Sequence, residues 1–256
     1  MHLWPNAYKN DRTAFSEQLL KNDRTDFYFA DEAKRGYINR LEFKTGNTII
    51  AAEETNNIDI IKLMLPQLLA PKQSIVISTP FNVQLPYLFS RGGYINQFYA
   101  ITQWYPKAAV YDKDGWHQMP YLDQGEFYND FGNYTVSITL PENYKVGATG
   151  VLLQTEAAPS IKKQQQEIKV AKKNVKPFFP KKVKEENISK SSSLKQKTLT
   201  YTADQVADFA WFADKSFIVK TDTIQLATHT VTANCYILPE NAELYTNSMH
   251  YIKNAD

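Results

Sequence analysis

Thr135-Val136-Ser137-Ile138-Thr139-Leu140 is the stretch on which the fold reading turns. Val136, Ile138 and Leu140 fall on one side of an extended chain, and Thr135, Ser137 and Thr139 on the other. That is the two-residue period of a strand with one face buried and one face wet. Pro141-Glu142-Asn143 then begins a turn. The next apolar segments, Tyr144 to Thr149 and Val151-Leu152-Leu153, predict a continuation of the same sheet.

Working upstream, residues 86 to 132 combine Pro86, Pro106 and Pro120 with Gly92, Gly93, Gly115, Gly125 and Gly132, and aromatics run throughout. Proline and glycine at this density exclude a long helix, so short strands joined by structured loops are expected. Ile75 to Phe81 and Asp59 to Leu65 read as strands, and Phe27 to Phe29 as sheet-like. Tyr37 to Phe43 reads as one alternating strand, with Tyr37, Asn39, Leu41 and Phe43 on one face and Ile38, Arg40 and Glu42 on the other. A short helix holding Phe15 and Leu19 on one face is expected after Asp11, which is placed to cap it, and it ends near Asn22-Asp23.

Downstream, the composition changes near Ala157. Between Lys162 and Lys197 stand 12 lysines and 3 glutamates, a local excess of nine positive charges in a chain whose net charge is +2. The stretch 157–197 is read as an exposed, flexible lysine-rich insertion. It has no arginine and no stacking platform, so nucleic acid is not an expected partner. Phe217 to Val219 and Thr230 to Leu238 are strand-like, and Ala242 to Ala255 can start a helix. The expected division is a β domain over 1–156, the insertion over 157–197, and a closing part over 198–256. No stretch of about 18 apolar residues is present, so no membrane span is expected.

The chemistry-bearing residues are sparse. His2, His117, His229 and His250 are the four histidines, and no two share the spacing of a helical zinc motif. Cys235 is the single cysteine, which excludes an internal disulfide. Arg91-Gly92-Gly93 lacks a downstream Gly-Lys-Ser/Thr and reads as a tight turn. Asp112-Lys113-Asp114-Gly115 reads as a turn whose side-chain oxygens satisfy backbone donors, with a cation or carbohydrate role as the alternative. The aromatics Phe98, Tyr99, Trp104, Tyr105, Tyr111, Trp116, Tyr121, Phe127 and Tyr128 are read mostly as core, with a ligand groove as the alternative. No catalytic and no metal-ligating residue is assigned.

Five segments carry a resemblance: His2-Leu3-Trp4-Pro5-Asn6-Ala7-Tyr8, Ser90-Arg91-Gly92-Gly93, Ile101-Thr102-Gln103-Trp104-Tyr105-Pro106-Lys107, Gly115-Trp116-His117-Gln118-Met119-Pro120-Tyr121, and Asp123-Gln124-Gly125-Glu126-Phe127-Tyr128. With Asp208-Phe209-Ala210-Trp211, and in this order, the chain resembles the N-terminal portion of gluzincin zinc aminopeptidases of a bacterial secreted or periplasmic branch. The resemblance implies a mainly β, saddle-like antiparallel sheet or sandwich that covers one side of a cleft, with its first strands preceding His2. It implies that zinc and the hydrolytic residues lie in a catalytic domain in cis beyond Asp256, so that this chain alone is inactive, and it implies export. Family members turn a Thr-Gln-x-Glu stretch toward the substrate's free amine. Thr102 and Gln103 match its start, and Tyr105 stands where the acid is expected. Gln103 and Tyr105 are therefore the substrate-binding residues that the resemblance implies. The alternative is a standalone peptide- or glycan-binding β module.

Overall fold

A computed structural model describes residues 1–153, 191–226 and 228–253. The chain is mainly β, built from several small antiparallel sheets with two α-helices among the described residues. It divides into two compact units, Met1–Gly132 with Gln205–Ala210, and Asn133–Asp204 with Trp211–Asp256. Of the lysine-rich stretch, residues 157–190 lie outside the described residues.

The first unit packs around aromatic rings. A 3-10 turn at Trp4–Tyr8 and helix α1 at Ala14–Lys21 place Trp4, Tyr8, Phe15 and Leu19 against Phe27, Phe89 and Tyr121. The rings meet tilted or edge-on, as between Phe15 and Phe27 with centroids 5.0 Å apart, the arrangement that the ring quadrupole favours. Thr13, not Asp11, caps α1: its Oγ1 accepts from the Ser16 amide at 3.2 Å. Phe27 to Phe29 is turn rather than strand, with Phe27 fully buried and Phe29 exposed.

A second cluster joins Leu3, Ile38, Phe43 and Ile50. Its strands are short: β1 (Tyr37–Asn39), β2 (Lys44–Thr45), β3 (Thr48–Ile49), β4 (Ala51–Glu54), β5 (Ile61–Met64) and β6 (Asn82–Gln84). The expected strand from Tyr37 to Phe43 breaks at Arg40, whose φ of 58° is left-handed. That turn resets the alternation, so Ile38 and Phe43, expected on opposite faces, both reach the same core. The Ile75 to Phe81 segment makes one bridge, Ser78 to Lys44, and the strand proper follows it as β6, paired with β1. Two hairpins complete the unit, β7 (Gly93–Ile95) with β8 (Phe98–Ile101), and β9 (Val110–Asp112) with β10 (Gly115–His117).

In the second unit, β11 (Gly132–Pro141), β13 (Val151–Leu153) and β14 (Gln196–Val206) form a sheet with β14 in the middle. The expected alternation on β11 holds: Ile138 and Leu140 are buried while Ser137 and Thr139 are exposed. β14 repeats it, burying Lys197, Leu199, Tyr201 and Ala203. On the wet face, Thr139 meets Thr198 at 2.8 Å and Ser137 meets Thr200 at 2.9 Å, a cross-strand hydroxyl ladder. β12 (Lys145–Ala148) pairs with β15 (Trp211–Asp214), and β16 (Ile218–Gln225) with β17 (Thr230–Ile237) over eight residue pairs. Helix α2 is Ser248–Lys253.

Candidate functional site

The chain leaves β8 at Ile101 and enters the loop that carries Gln103. Gly92 makes room for it, and Gly93 makes room for the chain at 86–88. A Cβ on Gly92 would lie 2.9 Å from Thr102 Oγ1, and Gly93, at φ 143°, would place one 2.7 Å from the Pro86 carbonyl. Arg91-Gly92-Gly93 is therefore a close-approach turn, as its sequence suggests. The Arg91 guanidinium donates to the carbonyls of Asp123 and Gly125 and lies over the Phe127 ring at 5.1 Å, so its charge serves structure.

Gln103 has a φ of 47°, a left-handed backbone that a non-glycine residue keeps only when its surroundings hold it there. The residues that follow supply that hold within the first unit. Trp104 Nε1 donates to the Phe209 carbonyl at 3.1 Å, and the Tyr105 hydroxyl donates to Asp208 Oδ1 at 2.6 Å. Lys107 Nζ donates to the Ala207 carbonyl and lies 3.4 Å from Asp208 Oδ1. The Lys107 backbone exchanges two hydrogen bonds with His2, at 2.7 and 3.0 Å.

A cavity of about 20 Å³ lies under this loop, lined by Trp4, Tyr8, Gly92, Thr102, Gln103 and Trp104 among others. That is room for a single water. Thr102 Oγ1 and Gln103 Oε1 are buried atoms without a hydrogen-bond partner among the described residues. Polar oxygens shielded in this way are costly unless something donates to them. Of the two expected substrate-binding residues, Gln103 thus keeps an open acceptor, while Tyr105 has committed its hydroxyl to Asp208.

Other buried polar groups of the unit tie distant segments together. His2 is fully buried and stacks on Trp4 at 4.5 Å, and its Nε2 accepts from the Met119 amide at 3.2 Å. Burial, followed by the fields of the amino terminus and Lys107, lowers its pKa to about 4, so the ring is neutral at neutral pH. Asp59 is buried as well, and its Oδ2 accepts from the Tyr121 amide at 2.6 Å. Burial raises its pKa to about 6 against the lowering effect of that hydrogen bond. Tyr8 donates its hydroxyl to that of Tyr121 at 2.7 Å. Sequence reasoning had no signal for these links, whose partners stand 62 to 117 residues apart.

Asp112 does what its turn implies. Its Oδ1 accepts from the Asp114 amide at 2.9 Å and from His117 Nε2 at 2.7 Å. The aromatic set divides: Tyr121 is buried, whereas Tyr111, Trp116 and Tyr128 are exposed, with Tyr111 and Trp116 in contact across the β9–β10 hairpin at 4.9 Å. For Tyr111 and Trp116 the expected core role is corrected, because a two-stranded hairpin buries only the face that meets the body; Tyr128, outside that hairpin, is exposed as well. Among the described residues no three of His, Cys, Asp and Glu come together to hold a metal ion, and no helix is long and apolar enough to cross a membrane. No protein-family model, curated protein or solved structure matches the chain.

Proposed function

We propose that this chain is a non-catalytic substrate-cleft domain of a zinc-dependent aminopeptidase, a saddle-like antiparallel sheet or sandwich that helps to hold the amino end of a peptide. The observation that carries the reading is Gln103. It sits in a left-handed conformation, in a loop fixed by Trp104, Tyr105 and Lys107, with an acceptor oxygen that no described residue satisfies. That oxygen is shielded and the cavity beside it has room for one water, so the proposed contact with a peptide's ammonium group runs through a bridging water. Tyr105 contributes its ring beside the loop, while its hydroxyl keeps Asp208 in place. The order of the segments around residues 2–8, 90–93, 101–107 and 115–128 supports the same reading. Zinc and the activation of water belong to a catalytic domain in cis, and no hydrolytic step is assigned to residues of this chain.

The test is a titration of the chain with a tripeptide amide bearing a free amino terminus and with its N-acetyl form, read on the Gln103 side-chain and Trp104 indole NMR signals. The free-amine form is expected to bind about fivefold more tightly, the worth of roughly one hydrogen bond. Gln103→Ala is expected to erase that difference. Equal affinities for the two peptides remove Gln103 from the proposal. Reading the coding sequence beyond codon 256 for a His-Glu-x-x-His motif tests the enzyme context independently.

One observation favours the alternative, a glycan-binding β module. Tyr111 and Trp116 expose 66% and 65% of their surface as neighbouring rings tilted 55° to each other, and a sugar ring can stack on an exposed aromatic face. Binding of an oligosaccharide that Trp116→Ala abolishes, with no response to peptides, selects it.

A further inference from the structure

The second unit contains a trough of about 650 Å³ that the proposed function does not use. Its size is that of a small-molecule site. The inner face of β14 forms the floor, where Lys197, Leu199 and Tyr201 follow one another at alternate positions. Leu152 on β13 stands opposite Tyr201 in register. Val146 and Tyr236 contribute the walls. The Tyr236 ring rests on the backbone of Gly147, where a Cβ would come within 2.8 Å of it, so that glycine sets how closely the wall approaches.

Lys197 is the charged member of a lining that also holds Thr230, Thr232 and Asn234. Strand alternation puts Leu199, Tyr201 and Ala203 on the same buried face, and the lysine is only 5% exposed. Its Nζ donates to the Tyr144 carbonyl at 2.5 Å. Among the described residues no carboxylate forms an ion pair with it: Glu142, which is exposed, acts on it only through space, and Lys145 opposes that effect. Burial lowers its pKa, the mark of a cation short of solvation. An ammonium offers three donors, and a neutral carbonyl uses one. A buried cation without a counter-charge is unfavourable, and a bound anion relieves it.

We propose that the trough binds a small amphipathic carboxylate, with its head group on the Lys197 ammonium and its apolar body along Leu199, Leu152 and Val146. The carboxylate supplies the counter-charge and acceptors that the lysine lacks. The apolar body removes the trough wall from water. An alkyl acid and the carboxyl end of an apolar peptide share this chemistry.

The experiment is a calorimetric titration of the whole chain with decanoate below its micelle concentration, beside decan-1-ol and an N-acetylated apolar tripeptide acid. One saturable carboxylate site is expected, about tenfold tighter than for the alcohol. The tighter of the two acids identifies the source. Lys197→Met keeps the stem and is expected to abolish the preference for acid over alcohol, whereas Lys197→Arg retains it. Ala148→Phe, which fills the trough, is expected to abolish binding of all three while the circular dichroism stays unchanged. Absence of saturable binding, equal affinity for decanoate and decan-1-ol, or a preference that survives Lys197→Met overturns the proposal.

Discussion

The hydroxyl of Tyr105 donates to Asp208 Oδ1 at 2.6 Å, across 103 residues of sequence. The same oxygen accepts from the Phe209 amide at 2.8 Å and faces Lys107, whose side chain is 9% exposed. One carboxylate oxygen thus organises the loop that presents Gln103. The two ends of this relationship should differ in what their loss costs. Tyr105→Phe removes one hydrogen bond and leaves Asp208 paired, an expected loss of about 1 kcal/mol. Asp208→Ala removes the counter-charge of a nearly buried lysine, which keeps the Ala207 carbonyl, an expected loss of about 3 kcal/mol. Urea unfolding of the two variants checks the order, and a larger loss for Tyr105→Phe contradicts the assignment.

Gly92 and Thr102 should behave as a coupled pair. Gly92→Ala places a methyl group 2.9 Å from Thr102 Oγ1, an overpacking cost of about 1–3 kcal/mol. In a Thr102→Ala background the nearest obstacle is gone, so the cost of the same substitution should fall. A double-mutant cycle measures the difference. Strict additivity removes this contact from the account of the loop.

His2 and Asp59 impose opposite dependences on pH. The folded pKa of His2 is lowered from 6.5 to about 4, so its contribution is present above pH 6.5 and is lost as the pH falls toward 4. The folded pKa of Asp59 is raised from 3.8 to about 6, so its contribution is present below pH 3.8 and is lost as the pH rises through about 6. Between these limits the two offset each other. Asp59→Asn should therefore steepen the loss of stability on acidification between pH 6.5 and 4, and His2→Phe should flatten it. Melting temperatures across that range are the measurement. Identical pH slopes in the two variants would falsify the assignment.

The start of α1 gives a local test. Thr13→Ala should cost about 1 kcal/mol, because the Ser16 amide loses its acceptor. Asp11→Ala should change stability by less than about 0.5 kcal/mol, as expected for a surface side chain with no such duty. A larger effect at Asp11 would move the cap back to where the sequence alone suggests it.

These cases show which features were legible. Strand β11 was, because each residue from Thr135 to Leu140 states its own face and nothing interrupts the period. Tyr37 to Phe43 has the same outward pattern but does not form one strand, because Arg40 adopts a left-handed conformation that its side chain does not announce. The cap of α1 shifted by two residues because Asp11 and Thr13 are both competent acceptors, and only the approach of the chain chooses between them. Lys197 closes a lysine-rich run and reads as solvated, yet register on β14 turns it inward beside Leu199.

The sequence by itself determined a mainly β chain, the alternation of β11 and the close turn at Gly92-Gly93. Those are properties of neighbours along the chain: period, and glycine and proline placement. The tertiary structure alone decided that Asp208 receives Tyr105, that His2 and Asp59 are buried, and that Lys197 lines a trough with no ion-pair partner among the described residues. The reason is physical: burial and partnership depend on which distant segments come to lie against a side chain, and the residue's own neighbours in sequence do not encode that.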